Sequence, residues 1–253
     1  MAVIDLDLAS GTAQGPAQGT APEPDPARTA ATSAAAMFWP REQPGRRVGQ
    51  LAAGLLLYGI SEAMQLLPAV GVGPWDVLTT GLSRLTGISL GTLIVIIGGV
   101  VLLLWIPLRQ RPGLGTVANI VVIGLVVDAA YEVVPAPHAL WLRWTVFLIG
   151  VLLNAVATGL YIGAGLGAGP RDGLTTGVAA RGHSVRIVRT TVEISVLVAG
   201  WLLGGNVGLG TVVYALGIGP LIHHTIPWFA RKPGTGTGTG AGTAAVAPAA
   251  SAS

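Results

Sequence analysis

Aspartate and threonine residues recur at the same spacing in two places in this sequence, and there they could bind a cation, a proton or a polar solute. The string GVGPWDVLTTG spans residues 71–81, and the string GAGPRDGLTTG spans residues 167–177. In a helix, an aspartate lies on the same face as the threonines three and four residues later. The predicted binding residues on these two faces are Asp76, Thr79, Thr80, Asp172, Thr175 and Thr176.

Each string contains the residue types that begin a helix. Gly73 can serve as the N-cap, Pro74 has no N–H to leave unpaired in the first turn, and Asp76 lies near the positive end of the helix dipole. We expect a helix of about ten residues after each glycine, too short to cross a membrane. Its free amides could hold an anionic group, or the aspartates could hold a cation or a proton. A capped surface helix without a ligand is the structural alternative.

The composition places these strings in a membrane protein. Charged residues make up 10% of the 253 residues and hydrophobic residues 51%, whereas soluble domains contain about 25% charged residues. The chain has no cysteine, which excludes disulfides, thiolate metal sites and cysteine nucleophiles. Basic residues stand mainly at the ends of apolar segments, as topology signals do, so nucleic acid is not an expected partner.

Six apolar segments are long enough to cross the bilayer core, which requires about 20 residues. They cover residues 47–67, 88–108, 114–134, 142–166, 184–204 and 208–228. With the N-terminus in the cytoplasm, most arginine and lysine residues fall on the cytoplasmic side, and Arg84 and Arg143 fall outside. We therefore predict six spans in the cytoplasmic membrane, with both termini in the cytoplasm.

The likeness between the two strings extends to their surroundings. Residues 113–116 have the same sequence, GLGT, as residues 208–211. Residues 46–134 and 142–228 are therefore predicted to be two copies of one three-span unit. Because three is an odd number, the second copy must cross the membrane in the sense opposite to the first.

The predicted fold is all-α, with six transmembrane helices arranged as two inverted three-helix repeats, each containing a short Gly-Pro-x-Asp half-helix. A linker is expected at 135–141, and disordered tails are expected at 1–45 and 229–253, which are rich in small and polar residues. The change from Trp75 to Arg171 fits the inversion, because tryptophan suits the outer interface and arginine the cytoplasmic face. Drift in a parallel duplication is the alternative.

Two longer stretches carry a resemblance to a known family. GVGPWDVLTTGLSRLTGISLGT and LWIPLRQRPGLGT, followed by Asn119 and Asp128, resemble the YczE/YyaS/YitT family of bacterial integral membrane proteins, in particular its YczE-like branch. The resemblance covers residues 46–228. It implies a bacterial cytoplasmic-membrane protein with several spans, and it carries over no catalytic or ligand-binding residue.

Acidic residues inside the predicted spans are further candidates, because charges there are costly and often functional. Glu193 lies near the middle of the fifth span and is added to the predicted binding residues. An ion pair with Arg189, four residues earlier, is its structural alternative. Glu62, Asp128 and Glu132 lie nearer to span ends, where we expect solvation at the interface.

No pattern in the sequence indicates an enzyme, a metal site or a cofactor. His223 and His224 are adjacent and point in different directions on a helix, and no GxSxG, P-loop or dinucleotide fingerprint is present. Interrupted segments at matching places in two inverted halves are typical of transporters. The preferred interpretation is a secondary transporter for a small solute or ion in the lipid bilayer. A membrane scaffold or regulator that acts through partners is the alternative.

Overall fold

The computed structural model describes residues 44–229, which form eight α-helices and no β-strand. In chain order, the helices are α1 (Pro44–Leu66), α2 (Pro74–Thr86), α3 (Leu90–Leu108), α4 (Leu114–Val133), α5 (Leu140–Gly163), α6 (Pro170–Ala179), α7 (Val185–Leu202) and α8 (Leu209–Phe229). Each of the six long helices begins and ends within three residues of a predicted span. The predicted tails lie outside the described residues, except for Pro44, Gly45 and Phe229, which are helical.

Four of the long helices are sufficiently long and apolar to cross a membrane, namely α3, α4, α5 and α8. The other two, α1 and α7, have 23 and 18 residues and carry charges along their length. These charged residues are Arg46, Arg47, Glu62, Arg186, Arg189 and Glu193. The chain is a membrane protein whose described residues are all-helical outside the connecting loops, and α1 and α7 are the less apolar of its long helices.

The two short helices begin as their sequences predict. Gly73 is the N-cap of α2 and Gly169 the N-cap of α6, each followed by a proline at the first helical position. An aspartate stands in each first turn, where the carboxylate is favoured by the positive end of the dipole. With 13 and 10 residues, respectively, both helices are too short to cross a bilayer core of about 30 Å.

The chain repeats one order of elements, and we call α1–α4 the first half and α5–α8 the second half. The halves meet where α1 crosses α5, and glycines make this crossing close. A Cβ atom on Gly54 would lie 2.7 Å from the backbone nitrogen of Tyr161, and one on Gly150 would lie 3.0 Å from Cβ of Met64. Small residues of this kind let helix backbones approach in membranes.

Each half holds the segment that leads into the short helix of the other half. The N–H of Gly210, at the start of α8, donates to the carbonyl of Val70 at 3.0 Å. Correspondingly, the N–H of Gly115, at the start of α4, donates to the carbonyl of Leu166 at 2.8 Å. In addition, α2 packs on α7 and α6 packs on α3. This reciprocal packing brings the starts of both short helices to the boundary between the halves.

Candidate functional site

A cavity of about 110 Å³ lies between the halves and is lined by residues from all eight helices. The starts of both short helices contribute to its wall, from Gly73 to Asp76 and from Gly169 to Asp172. Isoleucine and valine side chains come to the wall from α3 and α4, and polar side chains converge on it from α1, α5 and α7. Sites of this kind, apolar with a few convergent polar groups, are typical of small-molecule binding.

The structure brings four of the seven predicted binding residues to this wall, namely Asp76, Asp172, Thr175 and Glu193. The remaining three, Thr79, Thr80 and Thr176, do not line the cavity. Their hydroxyl groups donate to carbonyl oxygens one turn earlier in their own helices, at 2.8 to 3.1 Å. The Asp-Thr-Thr faces of the two short helices therefore contribute to the cavity mainly through their aspartates, since these threonine hydroxyls are satisfied within the helix.

An acidic pair faces one arginine in the centre of the site. Glu62 and Asp76 are 3% and 4% exposed, and their carboxylates lie 3.9 and 3.5 Å from Nη2 of Arg171. Glu62 Oε1 and Asp76 Oδ1 accept no hydrogen bond from any described residue. A buried acceptor without a donor is unusual in folded proteins and points to an additional partner.

The guanidinium group of Arg171 also stacks on an aromatic ring. Its Cζ atom lies 5.3 Å from the ring centroid of Trp75, within the range of a cation–π interaction. Trp75 and Arg171 are the residues that differ between the two strings, and we interpreted that difference as an adjustment to topology. The contact gives the substitution a second role, because the cation of one copy lies on the aromatic ring of the other.

Sequence analysis did not identify Glu62 and Arg171 as members of the site. Glu62 was expected to be solvated near a span end, but it is 3% exposed, and its charge within an apolar segment was a valid indication of function. Arg171 stood in the duplicated string at the position of an aromatic residue, an indication that we attributed to topology alone. Neither observation specified the contact, since α1, α2 and α6 are distant in the sequence and meet only through tertiary packing.

The second short helix has an aspartate with a different partner. Asp172 Oδ2 accepts a hydrogen bond of 3.0 Å from the hydroxyl of Tyr161. Each aspartate folds back towards its own N-cap, since a Cβ atom on Gly73 would lie 3.2 Å from Asp76 Oδ2 and one on Gly169 would lie 3.4 Å from Asp172 Oδ2. A carboxylate of the chain thus already stands at the positive end of each helix, which disfavours an anionic ligand there.

The wall of the cavity has an excess of negative charge. Within residues 44–229 it contains four carboxylates and two guanidinium groups, a formal excess of two negative charges when all are ionised. One of the guanidinium groups, that of Arg189, donates to Glu193 at 2.9 Å in a partly exposed pair, as the structural alternative for Glu193 predicted. Arg171 is the other, and its guanidinium group lies near two of the remaining three carboxylates, those of Glu62 and Asp76.

Asp128 has a different role from the predicted interfacial solvation. Its carboxylate accepts hydrogen bonds from the backbone N–H of Gly91 at 2.7 Å, the hydroxyl of Ser89 at 2.7 Å and the N–H of Thr92 at 3.1 Å. It therefore caps the start of α3 from the neighbouring helix. The described residues contain no group of three histidine, aspartate or glutamate side chains placed to hold a metal ion.

The comparisons with known proteins agree with a membrane protein. The chain is 40% identical over 201 residues to an uncharacterized protein of Haemophilus influenzae (79% of this chain, 91% of that protein). It is 33% identical over 179 residues to the uncharacterized membrane protein YczE of Bacillus subtilis (69% and 83%). It is 27% identical over 181 residues to the uncharacterized protein YyaS of the same organism (69% and 89%).

No solved structure is significantly similar to the chain. The model of a family of unknown function, DUF6198, matches residues 45–227, which include all of the helices apart from the terminal residues of α1 and α8. The resemblance to the YczE/YyaS/YitT family inferred from the repeated strings is confirmed. The chain therefore belongs to the DUF6198 family.

Proposed function

We propose that this protein is a secondary transporter that moves a small solute across the bacterial cytoplasmic membrane. The observation that carries the proposal is the cavity between the halves, where Glu62, Asp76 and Arg171 are held within a membrane protein. Charged groups inside membrane helices are expensive, and they usually mark the path of a substrate or ion. A scaffold that only bound partners at its surface would not need this arrangement.

The proposal includes six spans arranged as two inverted repeats. The repeated order of long and short helices supports it, as does the reciprocal packing of α2 on α7 and α6 on α3. In transporters with inverted repeats, discontinuous helices point their N-termini at a site between the repeats. The short helices α2 and α6 then enter the membrane without crossing it.

A difference between the halves supports alternating access. In the first half α3 packs along α4, whereas α7 and α8, both fully described, make almost no contact. We call these helix pairs the first seam and the second seam. In an inverted-repeat carrier, one repeat is closed while the other is open, and exchange of the two arrangements exposes the site to each side in turn.

Topology is the first test. Reporter fusions after Lys232 should report the cytoplasm, and fusions near residue 138 should report the outside, because an even number of spans returns the chain to its starting side. An external C-terminus would contradict both the six spans and the inversion.

Transport is the second test. Purified protein in liposomes would be screened for solute-dependent currents or uptake, with Asp76→Asn as the inactive variant and Glu132→Gln as the matched control. Glu132 is exposed and does not line the cavity. We expect the signal to disappear in the first variant and to persist in the second. Equal signals in both variants would contradict a transport site at Asp76. Partner capture without any uptake would favour the scaffold.

A further inference from the structure

We infer that the cavity binds small organic cations of the guanidinium or alkylammonium class, and that Arg171 is a tethered cation that competes with them for Glu62 and Asp76. The inference names the substrate class of the proposed transporter and rests on that proposal. The binding step can nevertheless be tested without transport.

Charge is the first reason. Outside the Arg189–Glu193 pair, the described cavity lining holds three carboxylates, those of Glu62, Asp76 and Asp172, and one cation, Arg171. An uncompensated buried carboxylate costs several kcal/mol (about 3–5 when its partner is removed), so a further positive charge or protons must accompany this site. A positively charged ligand is attracted by the same imbalance, and an anion is repelled.

The aromatic side chains are the second reason. Tyr58, Trp75, Tyr161 and Tyr214 line the same cavity as the carboxylates. The rings of Tyr58 and Tyr161 lie edge to face at 5.9 Å. Aromatic faces beside carboxylates are the usual environment for ammonium and guanidinium groups, which combine charge with apolar surface. A bare metal ion would instead need several oxygen ligands around it, and the described residues contain no group of three acidic or histidine side chains placed to supply them.

Arg171 shows how such a ligand would lie. Its guanidinium group stacks on Trp75 while it faces Glu62 and Asp76, so one cation meets a ring and two carboxylates at once. The ion-pair distances of 3.5 and 3.9 Å exceed the 2.7–2.9 Å of a charge-assisted hydrogen bond. The arginine therefore offsets part of the carboxylate charge without the bidentate bonds that would lock it in place, and another cation can displace it.

The cavity volume sets the size of the ligand. A cavity of about 150 Å³ holds benzene, and this one has about 110 Å³. Guanidinium and methylammonium are therefore suitable probes, and tetramethylammonium, which is about as large as benzene, fits only if the Arg171 side chain is displaced.

Chemical rescue of an arginine variant tests the inference. Arg171→Ala removes the tethered cation, and the carboxylates should lower its melting temperature relative to the parent protein. Millimolar guanidinium should raise the melting temperature of this variant by about 3 °C or more over equal sodium. The parent protein should respond less, because its own arginine competes. Arg181→Ala is the matched control, since Arg181 donates to the carbonyl of Pro107 and does not line the cavity.

Three results decide whether the inference holds. Adding Asp76→Asn and Glu62→Gln to Arg171→Ala should abolish the rescue, and a rescue that persists would contradict the inference. Equal guanidinium shifts in Arg171→Ala and Arg181→Ala would also overturn it. If Arg171→Ala does not fold even with guanidinium, tetramethylammonium binding to the parent protein and to Asp76→Asn is compared by calorimetry. We expect affinity about tenfold weaker in the variant, a loss of about 1.4 kcal/mol, and unchanged affinity would overturn the inference.

Measuring cation binding and uptake together distinguishes this inference from the proposed function. Cation binding with rescue but without uptake would reject the transporter and leave the binding site standing. Uptake of a neutral or anionic solute, with no cation binding, would reject the inference and leave the transporter standing.

Discussion

The first seam and the second seam contain equivalent helices but pack differently. Alignment of Ser89 with Ser184 places Gly91 opposite Arg186, and alignment of the GLGT segments places Gly98 opposite Glu193. In the first seam, a Cβ atom on Gly91 would collide with the carbonyl of Gly124, and one on Gly98 would lie 2.8 Å from Ile120. Those two glycines are the reason that α3 can lie directly against α4. At the same positions α7 has arginine and glutamate, and it lacks the glycines that the close contact of the first seam requires.

The contacts of the short helices show a complementary exchange of size. Where α2 packs on α7, a Cβ atom on Gly200 would collide with the α2 backbone at Val77 and Leu78, so this contact requires a glycine in α7. Where α6 packs on α3, the large residue is on the other helix, since Gly173 faces the ring of Trp105. Gly200 and Trp105 occupy equivalent positions in the two halves, as do Val77 and Gly173. Both contacts combine one large and one small residue, with the roles exchanged.

The two comparisons distinguish contacts that correspond in the two halves from contacts that do not. The short-helix contacts each place a glycine against the neighbouring helix and hold both helix starts at the cavity. In the seams, two glycines of α3 stand where α7 has charged residues, while Gly219 of α8 has open space around it. The packing of the short helices therefore corresponds in the two halves, and the seams are packed differently.

The largest expected effect on stability is at the first seam. Gly91→Leu should destabilise the protein by about 3 kcal/mol or more, because the side chain must separate α3 from α4 and disturb the Asp128 cap. Arg186→Leu introduces the same residue at the equivalent position of the second seam, where Arg186 is exposed, and should change stability by about 0.5 kcal/mol or less. Thermal unfolding in detergent measures both. Similar losses would show that the seams are not differently packed.

The exchange of size at the short helices can be tested with a double-mutant cycle. Gly173→Val should be destabilising by about 2 kcal/mol, since it collides with Trp105. Gly173→Val with Trp105→Gly recreates the arrangement of the other contact, and we expect a favourable coupling of about 2 kcal/mol relative to the sum of the single changes. The double variant still lacks the hydrogen bond that the Trp105 indole donates to the carbonyl of Pro170. Strict additivity would show that the two contacts are not equivalent.

Hydropathy and local capping were sufficient to predict all eight helices, because span lengths and Gly-Pro-x-Asp starts are properties of the sequence over short distances. They also predicted that Asp76 and Asp172 occupy first turns. Pairing across the molecule was not predictable in this way. Arg171 meets Glu62 and Trp75 only because the halves cross, and Asp128 caps α3 only because α4 lies beside it. The threonines illustrate the opposite error, since a shared helix face did not place Thr79, Thr80 and Thr176 on the cavity wall.

The aspartates of the two short helices allow the two halves to be compared at the site itself. Asp76→Asn and Asp172→Asn each keep shape and much of the capping, so stability should fall by about 1 kcal/mol or less. Uptake should be lost in Asp76→Asn, because the carboxylate that faces Arg171 is removed. Equal losses of folding and uptake would favour a purely structural role. Full uptake in the double variant would reject a charge-dependent site, including the role of Asp172, which stays a prediction.

The smallest effect on stability is expected at Glu193, which stands in the second seam where the first has Gly98. Its pair with Arg189 is partly exposed and spans one helical turn, and such pairs contribute about 0.3–0.5 kcal/mol. Glu193→Gln should therefore leave the melting temperature almost unchanged. Cation affinity, in contrast, should fall, since Arg189 would lose its carboxylate partner and its charge would repel a cation in the cavity. Arg189→Gln should have the opposite effect on affinity at the same small cost in stability. If neither variant changed cation affinity, the Arg189–Glu193 pair would be an ordinary helix-surface contact, and the second seam would have no part in binding.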